Sequence, residues 1–228
     1  MRTISIVFVL VMASVESLGA QRRMPGLGVR EPSIWLTAGA GFFTGNGVND
    51  GATESTWDFG SSTNFQYRGS MEKTIGDQAA IGLIGTYVRV PFIYSSTAVI
   101  PPGGGATCGS CEAHLDMMTL SAGFHIGGGP GFHQVIEGNA GVVRYSGLKR
   151  DSDGADLAPT GGNLDPIFSF GYGFGYGFGQ NTTINLVQDL GIALHEKTGL
   201  ANGVRNTNSV RTLRVTGRFG FGTRSRRR

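Results

Sequence analysis

Glycine makes up 39 of the 228 residues, about 17% against roughly 7% in ordinary proteins, and charged residues are 15% against about 25%. That balance argues against a typical soluble enzyme. With 39% hydrophobic and 10% aromatic residues at a net charge of +3, the chain has enough apolar surface to fold. Having only 8 prolines and no three-residue glycine period, it is not collagen-like.

Residues 1–20 have the organisation of an export signal: Arg2 as the positive start, the apolar run Ile4 to Ala13, and small residues ending Ser17-Leu18-Gly19-Ala20. The run is too short to be a transmembrane helix. Residues 21–32 then form a short segment ahead of the folded part, with Arg22 and Arg23 directly after the expected cut. Six arginines (22, 23, 224, 226, 227 and 228) lie in the two tails. No basic stripe is interleaved with stacking aromatics, so no nucleic-acid partner is expected.

From Ser33 onward, apolar and polar residues alternate with period two, which predicts strands rather than helices. Eight segments are expected: 33–43, 64–75, 79–94, 115–126, 132–145, 167–177, 182–194 and 210–222. Most reach the 9–11 residues a tilted membrane strand needs. Their connections alternate between long and short. Thr44 to Thr63, Ser95 to His114, Ser146 to Pro166 and His195 to Ser209 read as long loops. Gly76-Asp77-Gln78, Gly127 to Gly131 and Phe178 to Asn181 read as tight turns. Short turns on one side and long loops on the other describe an up-and-down outer-membrane barrel.

The composition of the two faces says which way each points. In the sixth segment Phe168, Phe170, Tyr172, Phe174 and Tyr176 share one face, opposed by Ser169, Gly171, Gly173 and Gly175. Five aromatics in a row do not fit inside a narrow eight-stranded barrel, and in water they would form a large apolar patch, so they are assigned to lipid. Phe219 and Phe221 follow the same rule. The opposite face is mostly Gly, Ser, Thr and Asn, with six charged members: Arg68, Glu72, Glu137, Asp189, Arg214 and Arg218. Three of each sign suit a closed interior where charges must pair. The segment from Ala80 to Val90 is apolar on both faces, and its orientation stays open.

On these residues the chain resembles the eight-stranded outer-membrane barrels of the OmpA transmembrane domain, OmpX and OmpW type, over about Ser33 to Gly222. The resemblance implies an all-β, antiparallel, eight-stranded transmembrane barrel at 33–222, located in the outer membrane of a Gram-negative bacterium. It also implies partnership with outer-membrane lipids and the barrel-assembly machinery. Gly217-Arg218-Phe219-Gly220-Phe221 looks like the terminal assembly signal of that class. The basic tail 223–228 is a departure from the class, whose members usually stop on the aromatic.

Few motifs suggest chemistry. Cys108-Gly109-Ser110-Cys111 lies in a long loop and reads as a structural disulfide permitted by export; free thiols or a metal site, with His114 as the nearest further ligand, are weaker readings. Asp151, Asp153 and Asp156 lack the spacing of a calcium loop. His125 and His133 flank a short turn, which places them at the periplasmic interface. His114 and Ser121, or Ser146 and His195, are too far apart for a nucleophile and its base. No cofactor, metal or catalytic residue is expected. The expected role is a monomeric structural or surface-interaction scaffold, porin-like in form, with a mostly plugged polar interior and loops available to an extracellular ligand. The alternatives are a small channel or conduit, a lipid-modifying enzyme, and a soluble lipocalin-like binder.

Overall fold

The computed structural model describes residues 31–60, 63–99 and 103–223; the expected export signal and the end of the basic tail lie outside these. The described chain contains ten strands: β1 (Ile34–Gly45), β2 (Val48–Asp50), β3 (Ser55–Asp58), β4 (Asn64–Gly76), β5 (Ala79–Ser96), β6 (Cys111–Ile126), β7 (Gly131–Arg150), β8 (Asn163–Gly177), β9 (Thr182–Leu194) and β10 (Thr207–Phe221). Eight of them pair antiparallel with their chain neighbours, β5 with β6 and β1 with β10, which closes a barrel.

Period-two alternation sets the register, because slipping a strand by one residue would turn its apolar side chains from lipid to lumen. Leu36, Ala38, Ala40 and Phe42 of β1 face outward opposite Phe219, Gly217, Val215 and Leu213 of β10. Tight turns join the strands at one end. The longest of these holds Gly127, Gly128, Gly129 and Gly131 at φ of 131, 148, 96 and 81°, a left-handed course that side chains resist, which accounts for the glycine run.

The first long loop is not irregular as expected. β2 and β3 form a hairpin within it, and β3 pairs with β5 from Ser55↔Ser96 to Asp58↔Ile93. On its other side the hairpin reaches β10: the Asn46 amide donates to the Ser209 carbonyl, and the Asn49 side chain to the Arg205 carbonyl. The wall therefore continues past the end of β4 at the loop end. β5, β6, β7 and β8 also run further into their loops than expected. The cause is shared: at the loop end these segments still have partners, and a paired backbone extends wherever its hydrogen bonds can be satisfied.

The orientation of β5 is now settled: Ala80, Ile84, Val88, Val90, Phe92 and Tyr94 are buried inside, while Ile81, Leu83 and Ile93 face out.

Candidate functional site

The inward face divides along the barrel axis. At the turn end it is charged. Arg68 Nη2 donates to Glu137 Oε2 at 2.6 Å, and Arg214 Nη2 donates to the same oxygen at 2.5 Å. Arg214 also grips Asp189 twice, through Nε at 2.7 Å and Nη2 at 3.2 Å. Arg218 reaches Glu72 at 2.5 Å and lies over the Trp35 ring, 4.5 Å from its centroid. Glu72 also accepts a hydrogen bond from the Ser70 hydroxyl at 2.7 Å. The structure thus brings all six candidate charges inside, every one buried. They form two groups, Arg68–Glu137–Arg214–Asp189 and Arg218–Glu72. Equal numbers of each sign, held at hydrogen-bond distance, offset much of the cost of removing these ions from water.

β8 makes room for them. A Cβ at Gly171 would fall 2.3 Å from Asp189 Oδ1, and one at Gly173 would fall 2.0 Å from the Leu186 carbonyl. The glycines opposite the aromatic row are therefore space for the charge network and for the neighbouring backbone.

His125, beside the turn as expected, points into the lumen and joins this network. It is 2% exposed, with Nδ1 at 3.1 Å from Glu137 Oε1 and Nε2 at 3.1 Å from the Gly127 carbonyl. His133 is likewise half-buried on the inward side, with Nδ1 on the Gly131 carbonyl. The sequence did hold a signal: both histidines fall at inward positions of the alternation, in register with Glu137 and Gly175.

Above the charges lies a cavity of about 50 Å³ lined by Gln66, Thr86, Thr119, Ser121, Asn139 and Thr212 among others, room for roughly three to five waters at about 10–15 Å³ each. Above that the lumen is apolar, contrary to the expectation of a polar interior throughout. Phe43, Val88, Val90, Phe92, Leu115, Met117, Val143, Ile167 and Val210 join Trp57, Phe59, Tyr94 and Tyr145 in one buried cluster. Large side chains fit here because the hairpin and the extended strands cover the barrel mouth, so this stretch is built like the core of a soluble protein.

A second polar group crowns that core. His195, at the loop end where the sequence puts the start of a long loop, is 4% exposed. Its Nδ1 lies 2.7 Å from Asp165 Oδ2, and its Nε2 lies 3.6 Å from Asp50 Oδ2. The Asn163 amide donates to Asp50 at 3.1 Å, and the rings of Trp57 and Tyr145 close over the imidazole. Burial alone would lower the His195 pKa; the hydrogen bonds and charges of Asp165 and Asp50 outweigh it and hold it up at about 9. For Asp50, burial works to raise the pKa, but His195 and the Thr53 amide prevail and lower it. Sequence spacing gave no hint of this group, because its members come from β2, β8 and the loop after β9.

The remaining candidates lie outside the lumen. Cys108 and Cys111 are joined in a disulfide at the start of β6. Asp151, Asp153 and Asp156 face His114, Arg150 and Lys149 respectively, and no group of three or more metal-ligand side chains occurs among the described residues. Phe168, Phe170, Phe174 and Tyr176 are 40 to 54% exposed, Phe219 and Phe221 are 48% and 52%, and Tyr172 is partly covered. With Phe42, Leu120, Leu186 and Val215 they continue a band that stays apolar around the barrel, which only a bilayer makes favourable.

A closed eight-stranded wall, greasy outside and filled within, decides the fold. The chain is an eight-stranded barrel of the outer-membrane type. Neisserial surface protein A has the same fold, with a TM-score of 0.51 at 14% identity over 83% of this chain and 97% of that one. The N-terminal barrel domain of Pseudomonas aeruginosa OprF (TM-score 0.42, 14% identity, 84% and 100% covered) and P. aeruginosa OprG (0.40, 12%, 87% and 98%) also match. No protein-family model matches the chain, and no curated protein matches it in sequence. The barrel's kinship is thus one of architecture.

Proposed function

We propose that this barrel is a structural and surface-interaction protein of a bacterial outer membrane, monomeric, with a lumen closed to solutes and its long loops presented outside. One observation carries the reading: among the described residues, ion pairs fill the turn end of the interior and the aromatic core fills the loop end, with a cavity of about 50 Å³ between them. A lumen filled in this way stabilises a wall and holds the loops in place; it offers solutes no path. The apolar band supports a lipid-embedded location, and the balanced lumen charges support a sealed interior.

The test is conductance. Purified protein inserted into planar bilayers is expected to leave the current at the lipid baseline. Stable, discrete open-channel steps would overturn the closed-lumen reading and favour a conduit.

A further inference from the structure

The outward rows of β5, β6 and β7 turn polar at one level, that of Arg89, Asp116 and Arg144, although on β5 Pro91 and Ile93 follow on the same face. Along β5, Ile81, Leu83 and Tyr87 give way to Arg89; along β7, Ala140 and Val142 give way to Arg144. Asp116 of β6 sits directly across from Arg89, and Arg144 is paired with Met118, the next outward position below Asp116. The Tyr87 hydroxyl donates to Asp116 Oδ1 at 2.8 Å. Both arginines are exposed, and among the described residues neither forms an ion pair. Two guanidiniums thus border one carboxylate that a phenol already partly satisfies, and the patch keeps a net positive charge.

Its height on the wall identifies a partner. Below Arg89 and Asp116 the outward positions run, in register, through Tyr87 and Met118, then Gly85, Leu120 and Val142, then Leu83, Ala122 and Ala140. A ligand spanning this boundary needs an anionic head beside the arginines and hydrocarbon against the rows beneath. Guanidinium forks match phosphate oxygens, and the anionic groups of a lipid lie at this level. Two strands apart and staggered by two residues, the arginines stand roughly 12 Å apart at their Cα atoms, and their long side chains can converge on one phosphate from both sides. We propose that Arg89 and Arg144 bind the phosphate of an outer-leaflet lipid whose acyl chains lie on Leu83, Leu120 and Val142. The proposal rests on the lipid-embedded reading above and adds a site and a headgroup chemistry to it.

Arg211 supplies the comparison. It also tops an apolar row, above Leu213 and Val215, but its cross-strand partners are Thr44 and Leu190, so it stands without a second arginine. Barrel refolded into vesicles of phosphatidylcholine and phosphatidic acid with the same acyl chains would be extracted and weighed by native mass spectrometry, counting retained lipid of each kind. The wild type is expected to retain phosphatidic acid preferentially. R89Q/R144Q should lower that retention about tenfold without changing phosphatidylcholine retention or the heat-dependent gel mobility of the folded barrel, and R211Q should leave it nearly intact. No preference for phosphatidic acid in a folded barrel, or an equal loss with R211Q, overturns the site while leaving the barrel reading standing. Complete displacement by inorganic phosphate would overturn the lipid assignment in favour of a free anion. Failure to insert into any vesicle would overturn both the site and the barrel reading.

Discussion

Arg214 touches two carboxylates, Glu137 and Asp189, whereas Arg218 touches Glu72 and rests on Trp35. All of these groups are buried, so removing a cation leaves an uncompensated charge in a region of low dielectric, at a cost of roughly 3–5 kcal/mol. Arg214→Ala strands Asp189 and leaves Glu137 with Arg68 and His125. Arg218→Ala strands Glu72, which keeps only the Ser70 hydroxyl. Both variants are expected to unfold at lower urea than the parent when refolded into vesicles, and adding Asp189→Asn to Arg214→Ala should recover part of the loss. An unchanged midpoint for either single variant would mean that its arginine is hydrated. The six charges were legible in the sequence because each falls on the polar side of a clear alternation. Their pairing was not, since Glu137 and Arg214 lie on strands that are not neighbours and meet only across the lumen.

The β2–β3 hairpin and its fastening belong to the scale of elements. Asp50 ends β2 and reaches His195 beyond β9, whose other nitrogen is held by Asp165 of β8. The imidazolium ties the hairpin to the barrel rim. Its folded-state pKa, about 9, lies above the unfolded value near 6.5. The stabilisation is therefore fully present below about pH 6.5 and is lost as pH rises through about 9. The hairpin amides of β2 and β3 should accordingly lose hydrogen-exchange protection between pH 7 and pH 9.5, after correction for the intrinsic exchange rate, and His195→Gln should remove that pH dependence. Equal protection at both pH values would contradict the latch. Nothing local foretold the hairpin: strands of 3 and 4 residues set among Gly, Asn and Thr look like loop, and they exist because β5 and β10 offer them partners. Trp57 and Phe59, two large aromatics in an otherwise polar stretch, were the only sequence sign that this loop folds inward.

For the molecule as a whole, alternation, strand length and the alternating connections gave the barrel, because each repeats on every strand. They could not give the division of the lumen into a charged turn end and an aromatic loop end. Period two separates inside from outside, but it carries no information about height along the axis. On β5 it fails altogether, because Ile84, Val88, Val90 and Phe92 inside are as apolar as Ile81 and Leu83 outside. The barrel stands or falls with which face of each strand meets lipid, and β6 is suited to the test: the native cysteines are already paired, and both of its faces are unambiguous. Nitroxide labels placed singly from Met118 to Phe124 in vesicle-inserted protein would be scored by collision with oxygen dissolved in the acyl phase. The structure predicts high collision rates at Met118, Leu120, Ala122 and Phe124, and low rates at Thr119, Ser121 and Gly123. Uniform rates along the strand, or the opposite phase, would contradict it.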